Sequence, residues 1–234
     1  MIYGWRDLDE AIEKIEKPVI FHLYKEDYLH DSVIRAIIKN TGENTEILST
    51  SLMKLDDVDY IDLTEKIGNL GSVLTYVRRR LSSVKAVNII IYCFPEILSQ
   101  HGFHNSLRFL RGISAMRNRG FLIFSLPQEI YRSHHSVFHF LSHLSLEISP
   151  LSNKADQNKA RSFAHVAKES LIHDGVLKIV NARVRGETRK GYFTVKDNVA
   201  VFEESVKKEK SAGDNSEEKP ILSPEDRFLR SSRF

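Results

Sequence analysis

The chain has 234 residues, 41% of them hydrophobic, and a formal net charge of +3. That is enough apolar material for one substantial α/β core, so one domain followed by a tail is expected. Cys93 is the only cysteine, which excludes an internal disulfide framework and points to a reducing compartment. Met1 to Lys17 is charged where a signal peptide would be apolar, and no run reaches the roughly 18 apolar residues of a membrane span. The expectation is a cytoplasmic protein without membrane contact.

The small net charge hides segregation along the chain. Residues 1–75 carry 8 Lys or Arg against 15 Asp or Glu, whereas residues 76–119 carry 8 against Glu96 alone. Such a chain suits an acidic partner, nucleic acid or head-to-tail self-association, unless folding mixes the charges over the surface.

In chain order, Trp5, Leu8, Ala11, Ile12 and Ile15 recur at helical spacing and predict a first amphipathic helix over Trp5 to Glu16. Pro18 to Tyr24 is a short apolar run of strand formers, Lys25 to Asp31 a polar turn, and Ser32 to Lys39 a helix. That strand-to-helix junction is where an α/β protein places a phosphate-binding loop. Here it reads Tyr24-Lys25-Glu26-Asp27-Tyr28-Leu29-His30-Asp31, with no glycine. A phosphate cradle needs glycines so that successive backbone N–H groups turn inward, and a lysine to reach the terminal phosphates. Glu26, Asp27 and Asp31 would repel phosphate instead.

After a turn at Thr41 to Asn44, Thr45 to Ser49 and Asp59 to Leu63 read as strands. Leu70, Val73, Leu74, Val77, Leu81 and Val84 mark one face of a long helix. Val87 to Phe94 is apolar without alternation, as for a central strand of a parallel sheet, and Pro95 is expected to end it. A helix over His104 to Asn118 and a buried strand over Gly120 to Leu126 follow. Alternation of this kind implies right-handed crossovers and a three-layer arrangement. Thereafter Leu144 to Ile148 and Asp174 to Arg185 alternate, and Gly191 to Val195 with Val199 to Phe202 predict an antiparallel hairpin closed near Asp197-Asn198. From Glu203 the composition is that of a disordered tail, 204–234, ending in an Arg- and Phe-containing octet, Arg227 to Phe234, that is either a docking peptide or a frayed end.

Two further groups stand out. Arg78, Arg79, Arg80, Lys85, Arg108, Arg111, Arg117 and Arg119 come from helices flanking neighbouring strands and are candidates for nucleic-acid or partner contact, or simply a solvated face. Aromatic stacking partners are scarce there, with Tyr76 the evident one. His135, His139 and His143 are spaced four apart, but three ligands along two helical turns span roughly 12 Å, too far for one ion. No metal site and no cofactor are expected.

Three pieces in this order resemble the RecA superfamily, specifically its KaiC and RadA-like archaeal branch: Gly4-Trp-Arg-Asp-Leu-Asp-Glu10 before the first strand, the strand Ile89-Ile-Ile-Tyr92, and Ala182-Arg-Val-Arg-Gly186 with the hairpin Tyr192 to Phe202. The resemblance spans residues 1–203. It implies a RecA-like P-loop NTPase fold, three-layered, with a mainly parallel central sheet and a C-terminal antiparallel hairpin. Against that family's pattern the phosphate loop is replaced by Tyr24 to Asp31, and the Mg²⁺-holding acid by Tyr92, whose phenol cannot serve as a carboxylate. The reading is a noncatalytic subunit that regulates or adapts a homo- or hetero-oligomer, with a RecA/KaiC-like partner. Arg183 and Arg185 match the late basic pair that in the family reaches a neighbouring subunit's phosphate; a solvated strand face is the plainer account of them. The alternative is a nucleic-acid-binding accessory protein of DNA recombination or repair that uses the basic 76–119 segment.

Overall fold

A computed structural model describes residues 15, 18–41, 45–56, 58–82, 88–116, 120–129, 132–151, 154, 157, 158, 160, 173–181 and 188–202. The first strand, β1 (Val19–Tyr24), is followed by helix α1 (Asp27–Thr41), then by β2 (Thr45–Ser49) and the two-residue β3 (Ile61–Asp62). Helix α2 (Leu70–Ser82) leads to β4 (Asn88–Ile91), α3 (Phe94–Met116) to β5 (Leu122–Pro127), and α4 (Arg132–Leu141) to β6 (Leu144–Pro150). Strands β7 (Gly175–Asn181), β8 (Thr188–Lys196) and β9 (Val199–Phe202) complete the described residues.

These strands form one sheet in the order β3-β2-β4-β5-β1-β6-β7-β8-β9. All pairings from β3 through β6 are parallel, and those from β6 to β9 are antiparallel. The switch has a local cause: helices α1 to α4 supply the crossovers that parallel neighbours require, whereas β8 and β9 need only a two-residue turn. Asp197 and Asn198 both take positive φ, 51° and 60°, the primed hairpin turn that these two residue types tolerate.

The sheet is covered on both sides of its parallel part. One core joins Ile20, Tyr24, Ile47, Ile90 and Ile123 to the inner face of α1, namely Leu29, Val33, Ile34 and Ile37. The other joins Phe21, Leu23, Leu48, Ile91 and Phe124 to Val73 and Val77 of α2, Ile97, Phe109 and Ile113 of α3, and Phe138 of α4. Three layers result, an α/β domain with a mostly parallel sheet and antiparallel C-terminal strands, as the sequence leads one to expect. Val87–Phe94 contributes β4, an internal strand between β2 and β5, and Cys93 is a buried core thiol, its pKa pushed up to about 12 by burial.

Three boundaries differ from the sequence reading. Helix α1 starts at Asp27, five residues before Ser32, so most of the supposed polar turn is helical; Asp27 in the first turn suits the positive end of the helix dipole. Residues 59–63 contribute only Ile61 and Asp62 to a strand. Pro95, read as the end of a strand, lies in the first turn of α3, where its missing N–H and fixed φ are harmless. The helix expected from His104 is therefore the second part of α3, which breaks at Gly102 (φ 70°, ψ 174°), a conformation that favours glycine. The helix over Trp5 to Glu16, the Ala182 to Gly186 segment and the tail 204–234 lie outside the described residues, although Ile15 packs against the α1-side core.

Candidate functional site

The β1–α1 junction is built by alternation. Successive residues of a strand point to opposite faces, so Ile20 and Tyr24 enter the core beneath α1 while Phe21 and Leu23 enter the other. His22 falls on the α1 side and is completely buried. Only Lys25 and Glu26 separate the strand from α1, and the His30 N–H already donates to the Glu26 carbonyl at 3.1 Å as the helix begins. The chain thus passes from strand to helix with no room for a wide loop of inward-turned N–H groups.

The space at the end of the strand is filled with rings. Tyr24 stacks on His30 with centroids 4.1 Å apart and planes 7° apart, and His30 stacks in turn on Tyr92 at 5.1 Å and 10°. Tyr92 follows β4, and its phenol donates a short hydrogen bond to the Asp31 carboxylate. Beneath the stack, Nδ1 of His22 and Nδ1 of His30 lie 3.1 Å apart, so one ring donates and the other accepts. Ser125 Oγ on β5 lies 3.4 Å from His22 Nδ1, and His22 Nε2 is buried without a partner among the described residues.

Electrostatics follow from burial. Loss of water lowers the His22 pKa to about 3 and holds His30 well below the usual imidazole value, the neighbouring His22 adding to the effect. Both rings are neutral at pH 7. Burial also raises the Asp31 carboxyl, against which the Tyr92 hydrogen bond works. Burial first and the Asp31 hydrogen bond second push the Tyr92 phenol upward, while burial first and then Asp27 and Asp31 raise Tyr24. Tyr92 therefore stays protonated and Asp31 acts as its acceptor, a structural tie between the end of β4 and α1.

Of the residues singled out at the junction, Tyr24, Asp31 and Tyr92 come together, while Lys25, Glu26 and Asp27 face solvent. His22 and His30 were missed by sequence reasoning. For His22 the available signal was its place between Ile20 and Tyr24 at alternate positions of an apolar strand; His30, in α1, carried no such signal.

Arg78, Arg79, Arg80, Arg108 and Arg111 are exposed on α2 and α3. These helices pack closely: a Cβ added to Gly112 would lie 2.9 Å from the Leu74 side chain. Tyr76, the exposed aromatic residue singled out for stacking, carries the Lys66 ammonium over its ring at 4.6 Å. Lys85, Arg117, Arg119, Arg183 and Arg185 lie outside the described residues. The three spaced histidines do not converge. His143 lies beyond α4 and accepts the Val19 N–H at Nδ1, 3.1 Å away, while His139 bonds Ser145 Oγ at 2.6 Å. Among the described residues no group of three or more His, Cys, Asp or Glu is placed to hold a metal ion, and no helix is long and apolar enough to cross a membrane.

Comparison with known proteins agrees with this architecture. No protein-family model matches the chain, and no curated protein does. Among solved structures, a KaiC-like protein from the hyperthermophilic archaeon Pyrococcus horikoshii OT3 superimposes with a TM-score of 0.56 at 14% sequence identity, covering 83% of this chain and 94% of that one. At that identity the likeness is one of fold: the chain has a RecA/KaiC-like fold.

Proposed function

We propose that the chain is a noncatalytic RecA/KaiC-like subunit of the cytoplasm, regulatory or adaptor in a homo- or hetero-oligomer, that neither binds nor hydrolyses ATP by itself. The observation that carries this reading is the Tyr24–His30–Tyr92 stack, closed by the Tyr92–Asp31 hydrogen bond, at the strand end where a phosphate loop would open. A triphosphate with its metal needs inward-pointing backbone donors, a cation and a metal-holding carboxylate. This junction supplies neutral buried imidazoles, a phenol and a carboxylate already committed to that phenol. Exposed Glu26 and Asp27 beside it add repulsion for phosphate. What such a subunit retains is its shape, and so its capacity to pack beside a related domain. Arg183 and Arg185 belong to the same reading, as permanent charges offered to a partner's phosphates. Titration calorimetry with ATP and Mg²⁺ tests it: no saturable heat is expected at micromolar nucleotide, and micromolar affinity at this junction overturns it.

A further inference from the structure

Between the first turn of α2 and the second part of α3 lies a cleft of about 370 Å³, lined by Gly68, Asn69, Leu70, Leu74, His101, Asn105, Arg108 and Phe109. Its origin is local. The break at Gly102 redirects α3, and beyond Gly68 there is open space where a side chain would stand. Leu74, which lines the cleft, also packs closely against Gly112 of α3. Leu70, Leu74 and Phe109 give it an apolar wall.

The polar groups of this cleft divide sharply. His101 Nε2 is bonded to the Ile67 carbonyl at 2.6 Å, Asn105 Nδ2 donates to the His101 carbonyl at 3.1 Å, and Asn69 Oδ1 accepts the Ser72 N–H at 3.1 Å. Those three are spent on the fold. Arg108 is not: its guanidinium has no hydrogen bond or ion pair among the described residues. No acid lines the cleft, and none occurs in the sequence between Glu65 and Glu96 or between Glu96 and Glu129. An apolar wall with an uncommitted charge beside it has the elements of a small-ligand site, and a guanidinium fork matches carboxylate or phosphate oxygens in pairs.

We propose that this cleft binds a small amphipathic anion, a phosphate monoester or carboxylate carrying a ring or short alkyl body, with the anion on Arg108 and the body against Leu70, Leu74 and Phe109. The site is separate from the β1–α1 junction and stands whether or not that junction is closed to nucleotide. Phenyl phosphate is the probe, titrated by calorimetry and by amide shifts of Gly68 and Gly71, with neutral benzyl alcohol as control. Saturable binding is expected for phenyl phosphate, weaker by about tenfold or more in Arg108→Gln, since a hydrogen bond to a charged group is lost. Asn105→Trp, an exposed position, should block the mouth without entering the core and abolish binding. Hexanoate in place of phenyl phosphate distinguishes a carboxylate-accepting site from one restricted to phosphate. Equal affinity of the unchanged protein and Arg108→Gln, or no saturable binding, overturns the proposal. Because ATP also carries phosphate, any heat it gives is assigned by the same variant: loss in Arg108→Gln places it in the cleft, and persistence there counts against the closed junction.

Discussion

Adjacent residues of β1 enter two different chemistries. Phe21 stacks on Phe124 at 5.2 Å and meets Phe138 at 5.6 Å, and Phe94 packs edge-on against Phe124 at 5.0 Å and Phe138 at 5.6 Å. One residue further, His22 enters an equally buried space with His30, Tyr24 and Ser125 as its neighbours, and Tyr92 stacks on the His30 ring. The phenylalanine contacts are held by area and ring geometry, which pH does not touch, although His139, its pKa lowered by burial, meets the edge of Phe21 at 5.0 Å on the same side. The His22 side is held just as closely only while its imidazoles are neutral. Burial is therefore not one condition: the same depth leaves a phenylalanine contact indifferent to protons and makes an imidazole pair sensitive to them.

The largest effect should come from the phenylalanine side. Phe138 is fully buried, so Phe138→Ala should cost about 3–5 kcal/mol in urea unfolding. That loss should be the same at pH 7 and pH 5, and a loss that changes with pH would erase the contrast between the two faces.

The histidine side should show its effect only in acid. A group whose folded pKa is depressed from 6.5 to about 3, as His22 is, favours the folded state fully above pH 6.5 and progressively less as pH falls toward 3. By pH 5 the loss from His22 alone is about 2 kcal/mol, at 1.36 kcal/mol per pKa unit. His22→Leu should flatten the decline in unfolding free energy between pH 6.5 and 5, and the double change with His30→Leu should flatten it further, with His139, whose pKa burial also lowers, contributing separately. An undiminished acid slope in the double variant would locate the sensitivity elsewhere.

The smallest effect concerns the tie between β4 and α1. Tyr92→Phe keeps the ring stacked on His30 and deletes the hydrogen bond to Asp31, at a cost of about 1–2 kcal/mol at pH 7. Because that bond lowers the Asp31 pKa, its loss should move the Asp31 titration, followed by carboxyl NMR shifts, to higher pH. A carboxylate that titrates unchanged would show that the phenol does not hold it in solution.

Much of the fold was legible because its signals are local. The apolar runs that became β1, β4 and β5 required only composition, and the Asp197-Asn198 hairpin only two residues that accept positive φ. Pro95 was legible but ambiguous, since one φ serves the end of a strand and the first turn of a helix. At the junction, the absence of glycine from Tyr24 to Asp31 was plain in the sequence, whereas the way the gap is filled was not.

By itself, then, the sequence determined which stretches could be strands, that both faces of the parallel strands must be covered, and that the β1–α1 junction lacks the residues of a phosphate cradle. These follow from periodicity and side-chain chemistry, which act over a few neighbouring residues. Only the tertiary structure decided that His22 meets His30, that Tyr92, 61 residues from Asp31, donates to it, and that Arg108 stands uncommitted at the mouth of a cleft. Each of those depends on which elements pack together and on what partners remain once they do, and a one-dimensional pattern carries no term for either.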